Sequence, residues 1–97
     1  MSRPSDSVAV RVRIYGRVQG VWYRGWTELE AKSLELFGWV RNRKDGSVEA
    51  LFIGADDAVQ KMVSRCSEGP PAAAIERIET EKAQGVAPNR FEVKPTV

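Results

Sequence analysis

Along residues 8–15, Val8, Val10, Val12 and Ile14 alternate with Ala9, Arg11, Arg13 and Tyr15, the period-two pattern of a strand with one buried face. The alternation stops at Gly16-Arg17-Val18-Gln19-Gly20, a glycine-punctuated loop. Trp22, Trp26, Leu29 and Ser33 then recur at helical spacing and predict an amphipathic helix whose inward face carries the tryptophans. Gly38 ends it, Trp39 to Asn42 read as a second strand with Val40 on one face, and Asp45-Gly46 is a hairpin turn signal returning the chain through Ser47 to Ile53. Asp56 or Asp57 can cap a second helix, in which Val59, Met62, Val63 and Cys66 recur at i, i+3, i+4 and i+7 before Gly69-Pro70-Pro71. Ile75 to Lys82 are expected as a fourth strand, although Ile75 and Ile78 lie three apart and break the alternation. Phe91 and Val93 suggest a short fifth edge strand.

The resulting order, βαββαβ, fits an α+β, ferredoxin-like sandwich: an antiparallel sheet with two helices on one face. Residues 8–97 are expected as one domain, behind a disordered polar tail at residues 1–7. That fold alone implies no activity.

Composition narrows the chemistry. The 97 residues are 42% apolar and 29% charged, ordinary for a globular chain with a single core. A net charge of +2 and a pI near 8.9 suit a small anion and are thin for a nucleic-acid footprint. Cys66 is the one cysteine, so no internal disulfide can form, and the sequence reads as that of a cytoplasmic protein. No segment has the apolar run of a signal peptide or a membrane span. With no histidine, neither a histidine general base nor the usual zinc ligand sets are available, and no metal or cofactor is expected.

Backbone N–H groups of a glycine-rich turn at a helix N-terminus lack intrahelical partners and can cradle an anion. Residues 16–21 are placed for this, and Arg24, in the first turn of the following helix, can add bidentate contacts to the same oxyanion. By spacing alone, the glycines serve equally well as a tight connection and Arg24 as one solvated cation among fifteen basic residues. Asn42, beside a hairpin, reads first as a turn former.

Two blocks of residues decide between these readings. Gly16-Arg17-Val18-Gln19-Gly20-Val21-Trp22-Tyr23-Arg24 closely resembles the acylphosphatase signature Gly-x-Val-Gln-Gly-Val followed by aromatic-Arg. Gly38-Trp39-Val40-Arg41-Asn42, then Asp45-Gly46-Ser47-Val48-Glu49 and Gly54, is similar to that family's second signature. The resemblance runs from about Val8 to Gly69. It implies a hydrolase that splits the carboxyl–phosphate bond of an acyl phosphate into a carboxylate and inorganic phosphate, without metal, cofactor or covalent intermediate. The family's phosphate-gripping arginine falls on Arg24, its water-positioning asparagine on Asn42, and its phosphate cradle on Arg17, Val18, Gln19, Gly20 and Val21. Tyr23 stands where phenylalanine is more familiar, and Glu35 where a glycine usually ends the first helix, a position favouring the left-handed conformation.

The remaining expectations concern partners. An acyl phosphate needs little acid–base machinery, so positioning and charge stabilisation suffice, and Asp45 and Glu49 read as a turn former and a solvent-facing strand residue rather than bases. An RNA-binding module of the same fold would show exposed aromatics on its central strands, a pattern the sequence lacks. A regulatory anion-binding domain is the third reading, opposed by the presence of both Arg24 and Asn42. A monomer acting on a small molecule, with no nucleic-acid or membrane partner, is expected.

Overall fold

The computed structural model describes residues 7–84 and 89–97. The elements run β1 (Ser7–Arg17), α1 (Tyr23–Ser33), β2 (Phe37–Asn42), β3 (Val48–Ala55), α2 (Asp56–Cys66), β4 (Ala74–Lys82) and β5 (Phe91–Val93). Of the expected tail, Ser7 opens β1 and residues 1–6 lie outside the described residues. The strands form one sheet in the order β4-β1-β3-β2-β5. Its first four members pair antiparallel, as the ferredoxin-like order requires. The fifth strand exists but pairs parallel to β2, with Gly38 opposite Phe91 and Val40 opposite Val93, so the sheet is mixed rather than wholly antiparallel.

Alternation along β1, β2 and β3 turns Val12, Ile14, Val40, Val48, Ala50 and Phe52 toward the helices. α2 meets them with Val59, Met62 and Cys66, at the expected spacing. Burial pushes the Cys66 thiol up to about 12, leaving it protonated at neutral pH.

The inward face of α1 differs from the expected one. Tyr23, Thr27 and Ala31 are buried, Leu29 is exposed, and Trp22 precedes the helix with 62% of its surface in solvent. Tyr23 and Thr27 can occupy the core because their polar atoms are satisfied there. The Tyr23 hydroxyl donates to the Cys66 carbonyl at 2.7 Å and Thr27 Oγ1 to the Tyr23 carbonyl at 2.8 Å.

The irregular spacing of Ile75 and Ile78 also finds its cause. Tyr15 pairs with Arg77 and Gly16 with Ile75, which leaves Glu76 as the extra residue of a bulge. Ile75 and Ile78 thereby both pack against the core.

At the end of α1, the Leu36 N–H reaches the Ala31 carbonyl at 2.9 Å and the Glu35 N–H reaches that of Lys32 at 3.0 Å, a Schellman cap with Glu35 at φ 58°. The chain end runs along β2: Lys94 N–H donates to the Val40 carbonyl, Val97 N–H to that of Asn42, and Lys44 N–H to that of Val97.

The sheet face opposite the helices is polar. Glu49, expected at the solvent, is buried there beneath arginines, with its Oε1 2.9 Å from Arg41 Nε and 2.8 Å from Arg43 Nη1 and its Oε2 3.9 Å from Arg11 and Arg13.

Candidate active site

The first functional segment spans from the end of β1 to the first turn of α1. Gly20 sits at φ 74°, where a Cβ would meet nothing within 4 Å, so backbone conformation rather than space calls for glycine there. Trp22 at the N-cap is also left-handed, with φ 66° and ψ 26°. Among the described residues, no backbone N–H from 19 to 25 donates to another backbone carbonyl, and the first helical bond is Trp26 N–H to the Trp22 carbonyl at 3.0 Å. α1 has no side-chain cap and no acidic residue in its first turn, whereas α2 opens with Asp56 and Asp57. Free donors, the positive end of the helix dipole and no competing carboxylate together make the start of α1 receptive to an anion.

Gln19 fixes this segment to the β2–β3 hairpin. Its Nε2 donates to the Arg43 carbonyl at 2.8 Å and to the Ser47 carbonyl at 2.9 Å. The hairpin is itself held by Asp45, whose Oδ1 accepts from the Ser47 N–H at 2.9 Å and hydroxyl at 2.6 Å. These bonds keep the Asp45 carboxyl below its ordinary value, as a turn former and away from any base role.

Loop, helix and hairpin surround a pocket of about 230 Å³ lined by Val18, Gln19, Gly20, Trp22, Tyr23, Arg24, Gly25, Asn42 and Val93. Arg24 makes no hydrogen bond or ion pair with any described residue, in contrast to the arginines packed round Glu49. Asn42 ends β2, opposite Val48, and its carbonyl is tied to the Val97 N–H. Its side-chain Oδ1 is buried and finds no partner among the described residues. An unmet buried acceptor costs about 1–3 kcal/mol, and rotating the amide presents either its oxygen or its NH₂ to a ligand.

The structure thus brings together Val18, Gln19, Gly20, Arg24 and Asn42. Arg17 is instead the exposed last residue of β1, and Val21 packs partly buried against the core; neither lines the pocket. The Gln19 side chain is engaged by the hairpin, which leaves its backbone N–H for a ligand. Gly25 and Val93 line the pocket without having been singled out for it. No local signal marks Val93, which arrives through the β5 pairing.

The acylphosphatase family model matches residues 10–93. An acylphosphatase of Rhizorhabdus wittichii is 49% identical over 92 residues, covering 95% of this chain and 93% of its own. One of Mesorhizobium japonicum is 51% identical over 86 residues, covering 88% and 92%. The solved structure of an acylphosphatase from Coxiella burnetii superposes with a TM-score of 0.92 at 30% identity, covering 97% of this chain and 99% of that one. With both sequence blocks, the fold and full-length relatives in agreement, the chain belongs to the acylphosphatase family, the enzymes of acyl phosphate hydrolysis.

Proposed function

We propose that this chain hydrolyses its acyl phosphate by gripping the phosphoryl group and aiming a water at it. The free backbone N–H groups at the start of α1 and the Arg24 guanidinium hold the phosphoryl oxygens and stabilise the charge that develops on them in the transition state. The Asn42 amide orients water for in-line attack on phosphorus. A P–O bond to water forms as the P–O bond to the carboxylate breaks, and a proton of the water passes to a phosphoryl oxygen. The observation that carries this reading is the buried Asn42 Oδ1, lining the same pocket as Arg24, with neither side chain partnered among the described residues.

The positive potential that a metal would contribute comes, in this reading, from Arg24 and the helix N-terminus, so activity survives a chelator. Residues 8–97 act as one domain and as a monomer in the cytoplasm. A single cysteine, unable to form an internal disulfide, supports a reducing compartment, and no described helix is long and apolar enough to cross a membrane. The arginines on the open sheet face are matched by Glu49, Glu81 and Asp45, which supports a small-molecule partner over a nucleic acid.

The test is benzoyl phosphate hydrolysis in excess chelator. Arg24→Ala is expected to weaken binding and turnover together, by about 10²-fold or more in kcat/KM. Asn42→Ala is expected to lower kcat by about 10²-fold with a much smaller change in inhibition by inorganic phosphate. Full turnover in Asn42→Ala would refute the water-positioning role.

A further inference from the structure

Phosphate recognition accounts for Arg24, Asn42 and the loop, but not for Trp22. Its indole lines the same pocket while most of its surface lies in solvent. Two locally unfavourable choices hold it there. Trp22 adopts a left-handed backbone, which bulky residues avoid. Gly25 occupies the first turn of α1, where glycine weakens a helix, and a Cβ at that position would overlap the indole. Glycine there lets the ring lie close against the helix backbone while most of its surface stays in solvent. Tyr23 next to it is buried in the core, whereas most of the Trp22 ring is not. In the same pocket, Val93 of β5 supplies a second, partly exposed apolar side chain.

From this placement we infer that Trp22, with Val93, forms the wall of an acyl subsite and makes the enzyme select acyl phosphates whose acyl group is a flat ring over those with a small aliphatic one. The inference rests on the acyl phosphate reading above. With the phosphoryl group held by Arg24 and the loop, the acyl group must extend beyond the phosphate cradle, and the exposed apolar side chains of the pocket lining available to it are Trp22 and Val93. An indole face stacks on an aromatic acyl group and gains little from a methyl.

The experiment compares kcat/KM for benzoyl phosphate and acetyl phosphate in the unsubstituted chain, Trp22→Ala and Trp22→Phe. Taking the ratio of the two substrates removes their different intrinsic reactivity and any general loss from loop damage. Because the side chain is largely exposed, circular dichroism should report the same fold in all three. The benzoyl-to-acetyl ratio is expected to fall about three- to tenfold in Trp22→Ala and to recover in Trp22→Phe, which restores a stacking face. An unchanged ratio, with both substrates losing equally, would overturn the acyl subsite and leave Trp22 as a shaper of the loop. Failure of the unsubstituted chain to hydrolyse either compound would overturn the acyl phosphate reading itself, and the subsite with it.

Discussion

Glu35 illustrates how a single residue can fit the fold at a cost. The Schellman cap at the end of α1 demands a left-handed residue there, and Glu35 supplies it at φ 58° despite its Cβ. The structure keeps the cap and accepts the strain. Glu35→Gly is expected to raise stability by about 0.5–1 kcal/mol, the relief of strain less the greater freedom glycine has when unfolded. For a domain of this size that is a Tm increase of about 2–8 °C, readable by calorimetry. Tyr23 is the opposite case, since its hydroxyl caps the Cys66 carbonyl at the end of α2, beside the Ser64 and Arg65 carbonyls that backbone N–H groups satisfy. Burial beside Cys66 drives that hydroxyl far above its ordinary value, so it stays a donor at all working pH.

At the scale of elements, the site depends on a joint between a loop and a hairpin that are far apart in sequence. Gln19 makes the joint by bonding two carbonyls that flank the Asp45-Gly46 turn. Asn42 stands shortly before that turn, so the same two bonds help fix how the loop and the Asn42 side chain lie relative to one another. Gln19→Ala is expected to leave the elements in place but loosen their register, raising the inhibition constant for inorganic phosphate and lowering kcat/KM, each by about tenfold. A loss confined to stability, with phosphate inhibition unaltered, would show the joint to be structural only. The bulge at Glu76 works in the same way on β4, rotating one residue out so that both isoleucines reach the core.

Across the whole molecule, the open sheet face gathers charge from β1, β2 and β3 around Glu49. Burial of this carboxylate is the strongest single influence and opposes its ionisation. The hydrogen bonds from Arg41 and Arg43, with their charges, together outweigh it and hold the carboxyl below its ordinary value. A group whose pKa is lower in the folded chain stabilises the fold above its unfolded value, near 4.3 for glutamate, and loses that contribution as pH falls through the folded value. Urea unfolding is therefore expected to show stability declining below about pH 4.3. Glu49→Gln should remove part of that decline while costing about 1–3 kcal/mol at neutral pH, because four guanidinium groups lose their common partner. An acid limb of unchanged slope in Glu49→Gln would assign the pH dependence to other carboxylates.

The sequence by itself determined the order of elements, the strand alternation of β1, the inward face of α2 and the two signature blocks that single out the loop, Arg24 and Asn42 as candidates. These are local: period-two and helical repeats, glycine punctuation and two short signature blocks lie within a few residues of one another, and each acts through the backbone it sits on. Only the tertiary structure decided which side of α1 faces inward, because burying Tyr23 and Thr27 requires acceptors that the fold supplies, one of them on α2. It alone set β5 parallel to β2 and carried Val93 to the pocket, since strand pairing at that separation leaves no local pattern. It also placed Arg17 outside the pocket lining and tied the Gln19 side chain to the hairpin. In each case the outcome depended on where a hydrogen-bond partner distant in sequence came to lie, a quantity that hydrophobic periodicity does not encode.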